Sequence, residues 1–185
     1  MFGNLINNNL IKDLLKQKVL EITPMDDKLL QLAQYPLRPQ VVHEIIAENE
    51  GNQVHFFSEK NSKFSLKPKS YYWIDVLETI KLPRGIVGRF IPSSNLIEKG
   101  LALTAGKIEK PFGDKGEKIR FGLFNYLDTS VTIQFLDRLA YIQFMDLRGL
   151  DNHEYKQSKY EKTIYGYRSA DDDGPNYEEQ DDNEE

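Results

Sequence analysis

Cysteine is absent from the 185 residues of this chain, and its three histidines are far apart in the sequence. Without cysteine there can be no disulfide framework, thiolate nucleophile or cysteine zinc site, and we expect a cytoplasmic protein. His43, His55 and His153 lack metal-ligand spacing, so we expect none of them to bind a metal. No apolar run approaches the length of a membrane span and no signal-peptide pattern opens the chain, so we expect no membrane association.

Basic side chains are missing from residues 171–185, which contain nine acidic ones. Since the whole chain has 29 acidic and 24 basic side chains, the remaining residues carry 24 basic against 20 acidic groups. This distribution predicts a solvated, disordered acidic tail on a mildly basic body. Such a tail could bind a basic protein partner or repel nucleic acid.

A group of basic residues lies close in sequence to the aromatic residues Tyr71, Tyr72 and Trp73. The basic residues are Lys63, Lys67, Lys69, Lys81 and Arg84. Positive charge combined with aromatic stacking could bind single-stranded nucleic acid. We favour an ordinary solvated surface with the aromatic rings turned inward, so nucleic acid is not an expected partner.

Short alternations of apolar and polar residues recur along the chain and predict a mostly β protein. The predicted segments are a hairpin at 41–57, two strands within 64–80, and further strands within 101–144. Residues 5–19 follow helical spacing instead, which predicts one amphipathic helix capped by Asn8 or Asn9. Many short strands with a single helix indicate a β-sandwich or a β-barrel.

Two short segments combine small polar residues with one carboxylate. Ser93-Ser94-Asn95 follows an apolar strand, and three such residues at a strand end can present hydrogen-bond donors to an anion. Gly106 would let the backbone approach a neighbour closely, and Glu109 adds a carboxylate three residues later. This combination could bind a phosphorylated nucleotide. A pair of tight β-turns uses the same residues, however, and on spacing alone we favour the turns.

Four motifs, in order, resemble those of the dUTPase / dCTP deaminase superfamily. They are G-R-F-I-P-S-S-N-L at 88–96, A-G-K-I-E at 105–109, G-E-K-I-R-F-G-L-F-N at 116–125 and D-R-L-A at 137–140. The segment L-Q-L-A-Q-Y-P-L-R at 30–38 is similar to the dCTP deaminase branch in particular. The resemblance implies a distorted jelly-roll β-barrel with an N-terminal helix, assembled as a homotrimer with sites between subunits.

The resemblance also implies a domain that spans residues 1–170, followed by the acidic tail at 171–185. Within that domain, residues 151–170 are similar to the arm that folds over the nucleotide in dCTP deaminases. Lys159 and Tyr160 match nucleotide-binding positions of this arm.

The resemblance implies a nucleotide site with several altered residues. The implied nucleotide-binding residues are Ser93, Ser94, Asn95, Gly106, Phe112, Tyr141, Lys159 and Tyr160. Ser93 replaces a phosphate-binding arginine, and a hydroxyl cannot reproduce a charged bidentate contact. Phe112 matches the aromatic residue that stacks on the deoxyribose, and Tyr141 replaces a glutamine.

Two further positions lack the polar residue of the deaminases. Gly122 stands where the general acid/base glutamate is found, and Pro36 replaces an aspartate. Without that glutamate nothing would activate water or carry a proton to the leaving ammonia. We therefore predict a divergent protein that lacks deaminase activity and acts by binding a nucleotide or a protein.

Two other functions remain open. One is an active enzyme of pyrimidine nucleotide metabolism, either a dCTP deaminase or a deoxynucleoside triphosphate pyrophosphatase with Glu109 as general base and Mg²⁺ bound with the nucleotide. Glu109 is one methylene longer than the family's aspartate, and a shift of about 1 Å can lower a rate about 100-fold. The other is a structural component of a larger assembly.

Overall fold

Thirteen β-strands and two helices make up the part of the computed structural model that is described here, residues 5–45 and 53–147. The strands are β1 (Glu21–Thr23), β2 (Tyr35–Leu37), β3 (Pro39–Glu44), β4 (Gln53–Phe56), β5 (Lys63–Leu66), β6 (Tyr71–Val76), β7 (Thr79–Lys81), β8 (Ile86–Pro92), β9 (Leu101–Thr104), β10 (Lys107–Ile108), β11 (Arg120–Asn125), β12 (Val131–Gln134) and β13 (Ala140–Asp146). The helices are α1 (Asn8–Lys16) and α2 (Ser94–Glu98), with a 3-10 turn at Asp27–Leu29. The prediction of a mostly β protein is confirmed.

The strands form two main antiparallel sheets. The larger sheet has five strands in the order β4-β3-β6-β11-β9, and the smaller has four in the order β10-β8-β13-β2. Two more antiparallel pairs join β1 with β7 and β12 with β5. Strands adjacent in sequence, such as β5 and β6, lie in different sheets, which is typical of all-β sandwich and barrel folds.

One hydrophobic core contains inward-facing residues of both sheets. In β6 the side chains of Tyr72, Ile74 and Val76 are fully buried, whereas Trp73 is 37% exposed. Phe144 of β13, in the smaller sheet, is fully buried in the same core. The expectation that the aromatic rings near the basic residues turn inward is therefore right for Tyr72 and wrong for Trp73, because neighbouring residues of a strand point to opposite faces.

Helix α1 is shorter than predicted, and its cap lies one residue before the predicted Asn8. Asn7 is the cap, and its side chain accepts a hydrogen bond from the backbone N–H of Leu10 at 3.0 Å. Ile6 lies outside the helix, and its N–H donates to the carbonyl of Phe144 at 2.8 Å. The prediction of Asn8 or Asn9 as cap is thus wrong, since the chain before Asn7 pairs with β13 instead.

The predicted strands are confirmed, and β1, β2 and β7 are additional strands that were not predicted. Strands β3 and β4 pair in antiparallel register from Val41↔Phe56 to Glu44↔Gln53, as the predicted hairpin requires. The region 64–80 contains β5 and β6 as predicted, but a third strand, β7, starts before its end. The chain leaves β6 at Leu77, whose N–H donates to the carbonyl of Arg38 at 2.8 Å.

A buried ion pair ties the start of β3 to the segment between β6 and β7. Arg38 donates from its backbone N–H to Glu78 Oε2 at 2.9 Å and from Nε to Oε1 at 2.5 Å. The side chain of Glu78 has no solvent exposure. Burial raises the pKa of Glu78, and the hydrogen bonds from Arg38 offset part of that rise.

Candidate functional site

The three polar residues predicted as a turn form the start of helix α2. Ser93 caps the helix, because its Oγ accepts a hydrogen bond from the N–H of Leu96 at 3.1 Å, and the residue is only 2% exposed. Ser94 and Asn95 are exposed in the first turn. The residue choice at Ser93 is therefore explained by helix capping. A role in nucleotide binding stays a prediction for all three residues.

Gly106 and Glu109 lie on either side of β10. A Cβ atom added at Gly106 would meet no heavy atom of the described residues within 4 Å, so the close approach expected there is not made within this part of the chain. Glu109 is 23% exposed at its side chain and accepts a salt bridge from Lys107 Nζ at 2.9 Å. The carboxylate therefore lies beside a cation, next to an open stretch of backbone.

Phe112 lies in the loop after β10 and packs partly buried against the core. Its N–H donates to the carbonyl of Glu109 at 2.9 Å, so the two residues form one tight turn. Gly113, with φ of +90°, makes the close approach in this loop, because a Cβ there would stand 2.0 Å from the carbonyl oxygen of Ile80. Stacking of Phe112 on a sugar stays a prediction.

Tyr141 occupies β13 between Ile91 of β8 and Pro36 of β2. Its hydroxyl accepts a hydrogen bond from Gln31 Nε2 at 3.3 Å and the residue is half-buried. Lys159 and Tyr160 lie outside the described residues, as do the arm at 151–170 and the tail at 171–185. Their roles and the domain boundary at residue 170 stay predictions.

Gly122 lies in the middle of β11, and the phenol of Tyr71 covers it. A Cβ atom at position 122 would stand 1.8 Å from Tyr71 Oη, 2.5 Å from Cζ and 2.7 Å from Cε2. In the register Gly122 pairs with Trp73 and Tyr71 pairs with Phe124, so the Tyr71 ring leans diagonally across β11. The space of a side chain at position 122 is therefore filled by a hydroxyl group and not by another acid.

Gly122 and Tyr71 lie on one surface of the five-stranded sheet, which we call its outer face. Its members on the central strands are His43, Tyr71, Trp73, Asp75, Arg120, Gly122 and Phe124. The opposite face of the same strands carries the fully buried Val42, Ile74 and Leu123. Partners in antiparallel register place their side chains on the same face, so the outer face is continuous across these strands.

A polar cluster on the outer face was missed by the sequence analysis. Arg120 donates from Nε to Asp75 Oδ1 at 2.5 Å and from Nη2 to Oδ2 at 3.0 Å, and His43 Nε2 is 2.7 Å from Oδ2. The guanidinium carbon of Arg120 lies 5.4 Å from the centre of the Trp73 ring. Burial alone would raise the pKa of Asp75, but the hydrogen bonds from Arg120 and His43 outweigh it and lower that pKa.

One sequence signal could have revealed this cluster. Asp75 interrupts the apolar run of β6 between Ile74 and Val76, and a carboxylate in the middle of a strand needs partners. Those partners, His43 and Arg120, are 32 and 45 positions away in sequence. Only the strand register brings them together.

Several of the predicted basic residues are already paired with acids. Lys67 Nζ lies 2.5 Å from Glu44 Oε1. Lys69 Nζ lies 3.2 Å from Asp128 Oδ1. Such pairing reduces the free positive charge available to a phosphate backbone. The expectation that nucleic acid is not a partner stays a prediction.

The described residues contain no group of three or more histidine, cysteine or acidic side chains placed to hold a metal ion. Binding of Mg²⁺ together with a nucleotide stays a prediction. Among the helices of residues 5–45 and 53–147, none is long and apolar enough to cross a membrane.

Residues 5–147 match the family described as dCTP deaminase-like. The chain belongs to the dCTP deaminase-like family. The resemblance read from the four motifs is thereby confirmed, and the match covers every described strand.

Curated relatives and a solved structure agree with the family assignment. The chain is 27% identical to a dCTP deaminase of Pyrococcus abyssi over 147 residues, which cover 80% of this chain and 90% of that protein. A dCTP deaminase of Pyrococcus furiosus is 26% identical over 147 residues, with 80% and 88% covered. The crystal structure of the Agrobacterium tumefaciens dCTP deaminase superposes with a TM-score of 0.61 at 14% identity.

That superposition covers 77% of this chain and 48% of the Agrobacterium chain, so this protein spans about half the length of that structure. At this identity the likeness shows the fold alone. The predicted fold, a dUTPase / dCTP deaminase-type β-barrel with an N-terminal helix, is confirmed.

Proposed function

We propose that this protein binds a deoxynucleoside triphosphate in the manner of its family without deaminating it. The observation that supports the proposal is the outer face at Gly122, where the hydroxyl of Tyr71 fills the space of the missing side chain. The family resemblance implies a general acid/base glutamate at this position. A binding protein with an inherited scaffold needs no such group.

Neither Tyr71 nor Asp75 can replace the glutamate. A phenol hydroxyl is a far poorer proton acceptor than a carboxylate and cannot take a proton from water as a glutamate does. Asp75 lies on the same face, but its two oxygens accept hydrogen bonds from Arg120 and bond with His43. A carboxylate held in this way is not free to move protons between water and a leaving ammonia.

The test is to incubate the purified protein with dCTP or dUTP and Mg²⁺ and to measure ammonia and pyrophosphate. We expect neither product above a protein-free control, together with a rise of the melting temperature, because a ligand that binds the native state stabilises it. The Pyrococcus furiosus dCTP deaminase serves as the active control. Ammonia released at a rate proportional to protein concentration would refute the proposal.

A pyrophosphatase with Glu109 as general base is the second candidate. One contact favours it: Lys107 Nζ lies 2.9 Å from Glu109 Oε1, which places a cation and a carboxylate together beside the open backbone at Gly106. If pyrophosphate is released, Glu109→Gln should abolish the activity. Asp114→Asn is the matched control, because Asp114 is a salt-bridged acid of the same loop. An unchanged rate in Glu109→Gln would reject the assignment.

A homotrimer is the proposed assembly, on the strength of the family resemblance. Exposed apolar side chains on β4 and β6 support burial of these two strands by other subunits. Trp73 is 37% exposed, Val54 is 45% exposed and Phe56 is 65% exposed. Light scattering coupled to size-exclusion chromatography should give three times the 21.5 kDa chain mass. A monomer would leave any site between subunits incomplete.

Binding of a protein partner, or a place in a larger assembly, is the remaining candidate. It rests on the acidic residues at 171–185, which the sequence predicts as a disordered tail. If no nucleoside triphosphate raises the melting temperature, co-purification with and without residues 171–185 tests it. Localisation in the cytoplasm stays a prediction.

A further inference from the structure

The hydroxyl of Tyr71 differs from those of the other half-buried and buried tyrosines because it makes no hydrogen bond within residues 5–45 and 53–147. Tyr35 Oη accepts from the N–H of Asp26 at 3.0 Å, and Tyr72 Oη accepts from the N–H of Lys67 at 2.7 Å. Tyr141 is bonded to a glutamine, as described above. A half-buried hydroxyl without a protein partner leaves hydrogen-bonding capacity for a ligand.

Tyr71 is also held in a defined place. It begins β6, pairs with Phe124 in the register and reaches across β11 so that its hydroxyl stands over Gly122. The absence of a side chain at Gly122 is what makes room for the phenol, because any Cβ there would overlap it. Gly122 and Tyr71 therefore act as a matched pair, with the hydroxyl as the functional group that position 122 lacks.

Aromatic surface lies beside that hydroxyl on the outer face. Trp73 is directly opposite Gly122 in the register and is 37% exposed. Arg120 lies 5.4 Å from the centre of the Trp73 ring and is hydrogen-bonded to Asp75. Aromatic side chains are platforms on which nucleic-acid bases stack.

We propose that the Tyr71 hydroxyl recognises the pyrimidine base of the bound nucleotide; this inference rests on the nucleotide site proposed above. A phenol hydroxyl both donates and accepts hydrogen bonds, so it can pair with the amino edge of cytosine or with the keto edge of uracil. It holds the base without activating water. The site is thus one for an intact pyrimidine deoxynucleotide.

The experiment is a titration of the purified protein with dCTP and with dUTP in the presence of Mg²⁺. Trp73 is the only tryptophan of the chain, so its fluorescence reports ligands at the outer face, and isothermal titration calorimetry gives the Kd independently. Tyr71→Phe removes the hydroxyl and keeps the ring over Gly122. We expect its Kd for both nucleotides to rise about 3- to 10-fold, the effect of one lost hydrogen bond.

Tyr126→Phe is the matched control, since Tyr126 is 60% exposed and loses the same atom. Its Kd should equal that of the wild-type protein. If the wild-type protein binds and Tyr71→Phe binds equally well, Tyr71 does not recognise the base, while nucleotide binding itself stands. If the wild-type protein binds neither nucleotide by calorimetry, the proposed function and this inference fall together.

Discussion

Two arginine–carboxylate pairs lie in different regions of this molecule and behave differently. In the interior, Glu78 has a side chain with no exposure and is bonded to Arg38. On the outer face, Asp75 keeps 13% exposure and is bonded to Arg120 and His43. Burial raises the pKa of Glu78 despite Arg38, whereas at Asp75 the two partners outweigh burial and lower the pKa.

The difference shows that an adjacent arginine does not by itself decide how a carboxylate behaves. Desolvation dominates for Glu78, whose ion pair serves to join the start of β3 to the segment before β7. Asp75 is only partly desolvated and holds Arg120 against Trp73 beside Gly122. The interior pair therefore joins two segments of the fold at a desolvation cost, and the outer pair contributes to the shape of the candidate site.

The largest expected effect comes from breaking the interior pair. Glu78→Ala leaves Arg38 buried without its carboxylate, and removal of one partner of a buried ion pair destabilises a protein by about 3–5 kcal/mol. The free energy of unfolding in urea, followed by Trp73 fluorescence, measures the loss. A loss below about 1 kcal/mol would contradict the view that this pair is important for the fold.

A somewhat smaller loss of stability is expected from a substitution at Gly122, where the outer face is closely packed. Gly122→Ala places a methyl group on the Tyr71 hydroxyl, and overpacking of this kind destabilises by roughly 1–3 kcal/mol. Gly106→Ala is the matched control, because no atom of the described residues lies within 4 Å of a Cβ there, and it should stay within about 0.5 kcal/mol of wild type. In the Tyr71→Ala background the penalty for Gly122→Ala should disappear; if it persists, Tyr71 is not its cause.

The mostly β fold and the family were accessible from sequence because they depend on local signals. Alternation in β11, β12 and β13 is visible residue by residue, and each motif is a contiguous run. The same locality explains the error at Ser93. Helix α2 has five residues, too few to show helical periodicity, so its cap was read as a turn.

The arrangement of the outer face could not be read in this way. His43, Asp75 and Arg120 meet only because β3, β6 and β11 pair in one register, and a shift by one residue would place them on opposite faces. Tyr71 reaches Gly122 through a diagonal contact across two strands. Sequence revealed that position 122 lacks a side chain, but not which group takes its place.

Breaking the outer ion pair between Arg120 and Asp75 should destabilise the protein less than Glu78→Ala or Gly122→Ala does. Asp75→Asn keeps the shape of the side chain but removes its charge, and the loss of charged hydrogen bonds should destabilise by about 1–2 kcal/mol. The effect is limited because Arg120 is 46% exposed at its side chain and can be solvated instead. Asp128→Asn, at a fully surface-exposed pair with Lys69, should change stability by less than about 0.5 kcal/mol. Equal effects of the two substitutions would remove the distinction between site and surface.

The smallest and most discriminating effect is the pH dependence of the two carboxylates. The pKa of Asp75 lies below its ordinary value of 3.8, so its contribution is present above pH 3.8 and is lost as the pH falls through the folded-state pKa. The pKa of Glu78 lies above its ordinary value of 4.5, so the folded state holds its proton more tightly and stability decreases as the pH rises above 4.5. Urea titrations between pH 3 and pH 7 should therefore give difference curves of opposite slope. The free energy of unfolding of wild type minus that of Asp75→Asn should rise with pH below about pH 3.8. The free energy of unfolding of wild type minus that of Glu78→Gln should fall with pH above about pH 4.5. Each slope is limited to about 1.4 kcal/mol per pH unit, because one proton is involved. Slopes of the same sign would show that the pKa values of Asp75 and Glu78 shift in the same direction. Burial would then outweigh hydrogen bonding in both regions or in neither.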